Sequence, residues 1–149
     1  YKSRYNITSN KMNTFEAYTE LFAECIHCYL LARWFSMINQ KVDIYELFIC
    51  NVDGSDMKQI TNLGGANWAP FFHPSGNKVI FSSNHITKSF PFNLFMINLD
   101  GSGLEQITYD KAFDSFPMFS PDGKRIVFSS NRDNGGGRST NMFVADWVD

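Results

Sequence analysis

The sequence predicts an all-β fold made of repeated four-stranded sheets, and three observations support this prediction. A shift of 47 residues lays residues 45–85 on residues 92–132 without a gap, with 17 identities in 41 pairs. Each copy holds four short segments rich in Val, Ile and Phe. Pro-x-Gly and Asp-Gly turns separate these segments. Four antiparallel strands at this period are typical of a β-propeller blade, whereas a β-sandwich does not repeat its sequence at this spacing.

The complete copy predicts four strands, named a to d from the propeller axis outward. In chain order they are residues 68–72, 77–83, 93–98 and 104–108. Glycines at the hairpin turns, such as Gly76 and Gly101, accept the positive φ that reverses the chain. The flanking repeats add strands c and d of a preceding sheet and strands a to c of a following one. The sequence therefore predicts nine strands, in repeats 45–91, 92–140 and the start of a third at 141–149.

Nine strands are too few to close a ring, because six four-stranded blades need about 24. We therefore expect a truncated propeller, or one that another chain completes. A piece of this size leaves a sheet face and a strand edge without partners, and such surfaces promote association. Self-association through the open blade edges is the expected consequence.

The first 44 residues depart from the repeat. They contain neither the Pro-x-Gly turn nor the Phe-Ser-Ser-Asn motif that both copies share. Apolar residues between Tyr18 and Leu30 recur at spacings of three and four, which predicts a helix over residues 14–38. A surviving inner strand over residues 30–37 is the alternative. The predicted organisation is a divergent segment 1–44, followed by propeller blades over residues 45–149.

Composition narrows the classes of function. Of 149 residues, 44% are hydrophobic, enough for a packed core, and the net charge of −2 offers no basic excess for nucleic acid. The most apolar stretch, residues 21–38, is interrupted by Glu24, His27 and Arg33, which are costly at bilayer depth. We expect no membrane span, and no intact targeting peptide is recognisable.

The residues that could carry chemistry form no complete site. Cys25 and Cys28 make a lone CxxC, without the second pair that a zinc site needs, and buried helix cysteines are the favoured interpretation. Cys50 is interpreted as a small strand residue. His73 and His85 flank one predicted strand, some ~30 Å apart, too far to share an ion. The sequence thus predicts no catalytic residue, metal site or cofactor.

Two motifs resemble the WD40-like repeat of TolB-type propellers. One runs from Asn93 to Gly103 with Gln106-Ile107-Thr108 behind it, and the other runs from Phe119 to Arg132. The resemblance covers residues 45–149 and implies about two blades of a six-bladed propeller, here with an N-terminal helical extension. It also implies a periplasmic or extracellular protein that works through contact with protein partners.

The predicted binding residues belong to the b–c and d–a loops, because a propeller is a rigid scaffold with function on its faces. Trp68 and Arg132 are of the types that anchor interfaces. For Trp68, a place between two blades is an equally favoured interpretation, and Asp114 is also read as a cap of the first strand. The full predicted set is Asn67, Trp68, His85, Asp114, Arg132 and Arg138.

These patterns favour a non-catalytic propeller that binds a protein or peptide in the cell envelope or outside the cell. The alternative is the propeller of an enzyme, such as a prolyl-oligopeptidase-like peptidase or a metal-dependent lyase, separated from its catalytic part. A non-functional gene remnant is a third interpretation. Sequence beyond residue 149 distinguishes the first two, because a peptidase would continue into a catalytic α/β domain.

Overall fold

A computed structural model describes residues 28–35, 44–137 and 139–148 of the chain. These residues form strands and connecting turns, without a helix among them. The strands, in chain order, are β1 (Cys28–Phe35), β2 (Ile44–Asn51), β3 (Lys58–Gln59), β4 (Asn67–Phe72), β5 (Lys78–Ser83), β6 (Asn93–Asn98), β7 (Glu105–Gln106), β8 (Asp114–Phe119), β9 (Arg125–Ser130) and β10 (Asn141–Asp146).

The strands form three antiparallel sheets that follow one another along the chain. The first sheet has the order β1-β2-β3, the middle sheet β4-β5-β6-β7, and the third sheet β10-β9-β8. The middle sheet has all four strands of a blade, at the positions that the repeat predicts. The first sheet supplies strands b to d, and the third supplies strands a to c. The all-β propeller architecture predicted from the repeat is confirmed.

The helix predicted over residues 14–38 is wrong for Cys28–Phe35, which form β1. This strand pairs along its whole length with β2, from Cys28 opposite Asn51 to Phe35 opposite Ile44. This pairing satisfies the backbone N–H and C=O groups of the strand, so sheet pairing overrides the helical spacing of its residues. The alternative prediction, a strand over residues 30–37, overlaps β1. Cys28 is the first residue of this strand and not a helix cysteine. The rest of the predicted helix lies outside the described residues, as does Cys25.

The core lies between the sheets and follows the two-residue alternation of the strands. In the middle sheet, Val79, Phe81, Phe95 and Ile97 face the first sheet and pack with Leu47 and Ile60. The residues between them, Ile80, Leu94 and Met96, face the third sheet and pack with Phe119, Ile126 and Phe128. Successive side chains on a strand point to opposite faces, so one blade fills two seams.

Shared residues of the repeat make the same hydrogen bonds in successive sheets. The Thr61 hydroxyl accepts the Leu47 amide at 2.7 Å, and the Thr108 hydroxyl accepts the Leu94 amide at 2.9 Å. At the end of the Phe-Ser-Ser-Asn motif, the Asn84 Oδ1 accepts the Ala66 amide at 2.7 Å. Asn131 does the same for the amide of Phe113. The threonine bonds hold the segment after each outer strand against strand c. The asparagine bonds hold the start of each inner strand against the end of strand b.

The hairpin turns have the geometry that the sequence predicts. Gly76 and Gly123 have φ of 77° and 71° in the Pro-x-Gly turns, and Gly101 has φ of 89° in an Asp-Gly turn. Cys50 is a buried residue of β2, in agreement with its interpretation as a small strand residue. No helix in the described ranges has the length and apolar character needed to cross a bilayer.

Candidate functional site

The b–c and d–a loops lie at one edge of the sheets, called here the loop face. It comprises residues 61–66, 84–92, 108–113 and 131–137. The opposite edge holds the a–b and c–d turns. Antiparallel pairing places these loops together, because Ser83 at the end of β5 lies opposite both Asn67 and Asn93. The rigid sheets therefore fix the positions of loops that are distant in sequence.

The predicted binding residues occupy different depths at this face. Asn67 and Asp114 are the first residues of β4 and β8, rather than loop residues, and both are fully buried. Trp68 follows in β4 and is half-buried. His85 and Arg132 lie on the loops after β5 and β9, as predicted, and are half-buried. The buried residues thus position their neighbours, and the loop residues are the ones open to a partner.

In the middle sheet, a chain of hydrogen bonds connects the buried Asn67 to His85. The Ser83 hydroxyl donates to Asn67 Oδ1 at 2.5 Å and lies 2.9 Å from His85 Nδ1. Asn67 Nδ2 donates to the carbonyl of Tyr45 at 2.8 Å and to Glu46 Oε2 at 3.3 Å. The imidazole packs edge-on against Phe95, with ring centroids 4.5 Å apart. These contacts fix the His85 ring at the loop face.

The third sheet has an ion pair at the equivalent positions. Asp114 Oδ2 accepts a hydrogen bond from Arg132 at 2.7 Å, and Ser130 Oγ accepts another from Arg132 Nε at 3.0 Å. The guanidinium lies 5.1 Å from the ring centroid of Phe128 and 5.5 Å from that of Phe143. Within the described part of the chain, Asp114 Oδ1 is buried without a hydrogen-bond partner. Arg132 is therefore the charge that compensates this carboxylate.

Trp68 lies between the middle and third sheets. Its ring centroid is 5.0 Å from that of Phe116 and 5.9 Å from that of Phe113, both of the third sheet's inner segment. A β-bulge follows it, because the pairing of β4 with β5 shifts between Trp68 and Phe71, and Ala69 has φ of 51°. Bulges re-aim neighbouring side chains. Trp68 therefore packs between blades, the second of the two interpretations of the sequence.

A groove lies beside Arg132 on the loop face. It has a volume of about 560 Å³ and lies between the d–a loop of the middle sheet and the b–c loop of the third. Its lining is formed by Ile107, Thr108, Tyr109, Asp110, Lys111 and Arg132. Tyr109 is 76% exposed, and its hydroxyl donates to the carbonyl of Gln106 at 2.8 Å.

Sequence reasoning did not select Tyr109, Asp110 or Lys111. The signal that marks them is a break in the repeat, directly after the shared Gln-Ile-Thr motif. One repeat earlier, the same positions hold Asn62, Leu63 and Gly64. In the preceding repeat, the backbone amides of Leu63 and Gly64 donate hydrogen bonds to Glu46. The later repeat has an aromatic ring and two charged side chains at these positions. The substitution opens the loop to solvent and gives it charge.

The two histidines of the middle sheet lie in separate surroundings. His73 Nδ1 is 2.8 Å from the Ser75 hydroxyl, in the a–b turn away from the loop face, and its ring packs against Phe119. No group of three or more His, Cys, Asp or Glu side chains in the described ranges is arranged to hold a metal ion. Arg138, the remaining predicted residue, lies outside the described residues.

Burial lowers the pKa of His85 below its ordinary value of 6.5, Lys88 lowers it further, and Glu46 opposes the shift. The neutral imidazole is therefore favoured in the folded state, so stability is complete above about pH 6.5 and falls as pH drops toward the lowered pKa. We expect the His85 Cε1 resonance to titrate below 6.5 in an NMR experiment. Replacement His85→Gln should flatten the stability profile between pH 7 and 5. A titration at or above 6.5 would contradict this expectation.

The comparisons with known proteins agree with this geometry. The model of the TolB beta propeller domain matches residues 33–143. No curated protein matches the chain. The structure is similar to a putative TolB from Agrobacterium tumefaciens (22% identity, TM-score 0.62), covering 80% of this chain and 42% of that one.

Two further solved structures share the fold. TolB from Acinetobacter baumannii is 23% identical, with a TM-score of 0.57, and the match covers 79% of this chain and 27% of that one. Hydrazine synthase from Kuenenia stuttgartiensis is 18% identical, with a TM-score of 0.53, and the match covers 70% of this chain and 18% of that one. The chain thus spans less than half the length of these structures. Its repeats, its sheet order and the family model together show that it belongs to the TolB beta propeller domain family.

Proposed function

We propose that this chain is a non-catalytic binding module that takes a protein or peptide partner at its loop face, in the periplasm or outside the cell. The observation that supports the proposal is the groove beside Arg132, which two loops form on a scaffold of packed sheets. Rigid sheets carrying variable loops are a common arrangement for recognition. The location rests on the likeness to TolB proteins.

The groove has the chemistry to hold an extended peptide. Arg132 has five N–H donors, and the side-chain hydrogen bonds to Ser130 and Asp114 use two of these donors. The remaining N–H donors, together with Lys111, can bind a carboxylate or a backbone carbonyl. Tyr109 offers an exposed ring for an apolar side chain. Phe128 and Phe143 hold the guanidinium in place, so little side-chain freedom is lost on binding.

Peptide selection tests this proposal. A displayed random-peptide library is selected against the immobilised chain, and selected peptides are measured by fluorescence anisotropy. The variants Tyr109→Ala and Lys111→Ala should each weaken binding by about tenfold, because each removes one groove contact. The control Lys124→Ala lies in an a–b turn, on the opposite edge, and should leave affinity unchanged. Peptides that bind equally to all three variants would contradict the proposal.

A second candidate is the propeller part of an enzyme. One solved structure with this fold is the hydrazine synthase, of which this chain covers 18%. A propeller of this class can therefore form a minor part of a larger catalytic protein. Sequencing the genomic regions on both sides of the coding segment separates the candidates. A reading frame that continues into a catalytic domain would favour the enzyme, such as a peptidase or a metal-dependent lyase.

A further inference from the structure

The hydrogen bonds around His85 assign the position of its ring proton. Asn67 Nδ2 donates to the Tyr45 carbonyl at 2.8 Å and to Glu46 Oε2 at 3.3 Å. Asn67 Oδ1 is therefore the atom turned toward Ser83, whose hydroxyl donates its single hydrogen to it at 2.5 Å. His85 Nδ1 lies 2.9 Å from the same Ser83 oxygen. Because that oxygen is left only to accept, Nδ1 carries the proton of the neutral ring.

The second ring nitrogen of His85 is thus an unprotonated acceptor. Nε2 forms no hydrogen bond within the described part of the chain, and the buried polar atoms without a partner there do not include it. The ring is half-buried and packs edge-on against Phe95, with centroids 4.5 Å apart. The loop face therefore presents an oriented lone pair to solvent.

Arg132 occupies the equivalent position in the third sheet. It bonds the hydroxyl of Ser130, the last residue of β9, as His85 bonds that of Ser83 at the end of β5. Arginine has donors only, whereas His85 Nε2 accepts. Sheets that pack face to face lie about 10 Å apart, and an extended chain advances about 3.3 Å per residue. The two positions are therefore separated by about three residues of an extended peptide.

We infer that His85 Nε2 accepts a hydrogen bond from an N–H group of an extended peptide, about three residues from the peptide oxygen that Arg132 binds. This role rests on the proposed function, because it requires a peptide on the loop face. An extended backbone carries both N–H donors and carbonyl acceptors. One acceptor and one donor at a fixed spacing select the direction and register of the peptide. His85 is then a specificity-determining residue of the site.

Protonation of His85 reverses this contact, because the second proton binds at Nε2. The charged groups that act on the ring are Glu46 on β2 and Lys88 in the b–c loop, whose Nζ donates to the Leu63 carbonyl at 2.7 Å. The side chains that contact the ring from β5 and β6 are uncharged. Since the neutral ring is the binding form, peptide affinity should be complete above the pKa of His85 and fall as pH drops through it.

Peptides selected on the loop face test the inference through variants of this ring. His85→Asn keeps a donor for the Ser83 hydroxyl but removes Nε2, and should weaken binding about three- to tenfold at pH 7. His85→Gln can place an amide oxygen where Nε2 lies. It should restore most of the affinity and make it independent of pH between 7 and 5. The matched control His73→Gln changes a histidine in an a–b turn and should leave affinity and its pH dependence unchanged.

Amide-to-ester replacement along the peptide identifies the donor. One ester, about three residues from the residue coupled to Arg132, should weaken binding to the wild type about three- to tenfold and leave binding to His85→Asn unchanged. Groove-binding peptides with equal affinity for His85→Asn and the wild type would overturn the inference and leave the proposed function standing. A proton on Nε2 at pH 7, seen by ¹⁵N NMR, would do the same. A library without binders would contradict the proposed function and, with it, this role.

Discussion

Replacing Arg132 with alanine is expected to lower the free energy of unfolding by about 3 kcal/mol. The reason is that Asp114 is fully buried, and its Oδ2 relies on Arg132 at 2.7 Å. Removal of the guanidinium would leave a buried carboxylate without its compensating charge. It would also remove the packing of the guanidinium against Phe128 and Phe143. Urea denaturation at pH 7 measures the loss.

The repeat supplies the controls for this experiment. The equivalent pair in the middle sheet is Asn67 and His85, in which the buried partner carries no charge. His85→Ala should therefore cost less than Arg132→Ala, by at least about 1 kcal/mol. The double variant Asp114→Asn/Arg132→His copies the middle sheet and should recover most of the stability. A double variant no more stable than Arg132→Ala would show that the buried charge is not the cause.

Replacing Trp68 with alanine is expected to cost about 3 kcal/mol, because the indole ring fills the space between two sheets. Its ring contacts Phe113 and Phe116 across the seam and Phe92 in its own sheet. The variant Trp68→Phe should keep most of this stability. In the described residues, the indole Nε1 is buried without a hydrogen-bond partner, so phenylalanine removes a polar group that gains nothing there.

Tyr109→Ala is the matched control, since this aromatic ring at the same face is 76% exposed. Its replacement should change the free energy of unfolding by less than about 0.5 kcal/mol. Thermal and urea denaturation of the three variants separate the two interpretations of Trp68. If Trp68→Ala unfolds with the stability of the wild type, the ring is not a packing element, and a role in partner contact would be favoured.

The repeat predicted the strands within residues 45–149, because each copy specifies its own strands and turns through residues that are close in sequence. Each copy carries its own turn glycines, such as Gly76 and Gly123, and these need a positive φ. The predicted strand 93–98 agrees with β6 to the residue. The sequence did not show which residues of the middle sheet face which neighbouring sheet, and the packed structure decided this.

The site was predicted only in part, because depth is a property of the packed sheets. His85 and Arg132 lie on the loops expected from the strand pattern. Asn67 and Asp114 were predicted as loop residues, but they begin strands and are covered by the neighbouring sheet. Their partner-binding role stays a prediction, and the structure gives both a positioning role. Tyr109 and Lys111 are assigned to the site because they line the groove, and no sequence motif selected them.

By itself, the sequence determined the blade, its period and its turns, since these depend on residues within one hairpin of each other. The tertiary structure decided three other matters. It made residues 28–35 a strand, because pairing with β2 satisfies their backbone in a way that helical spacing does not predict. It placed Trp68 in a seam, and it paired Asp114 with Arg132. Each of these depends on contacts between segments that are far apart in the chain. The free energy of packing the sheets therefore decides it, rather than a local conformational preference.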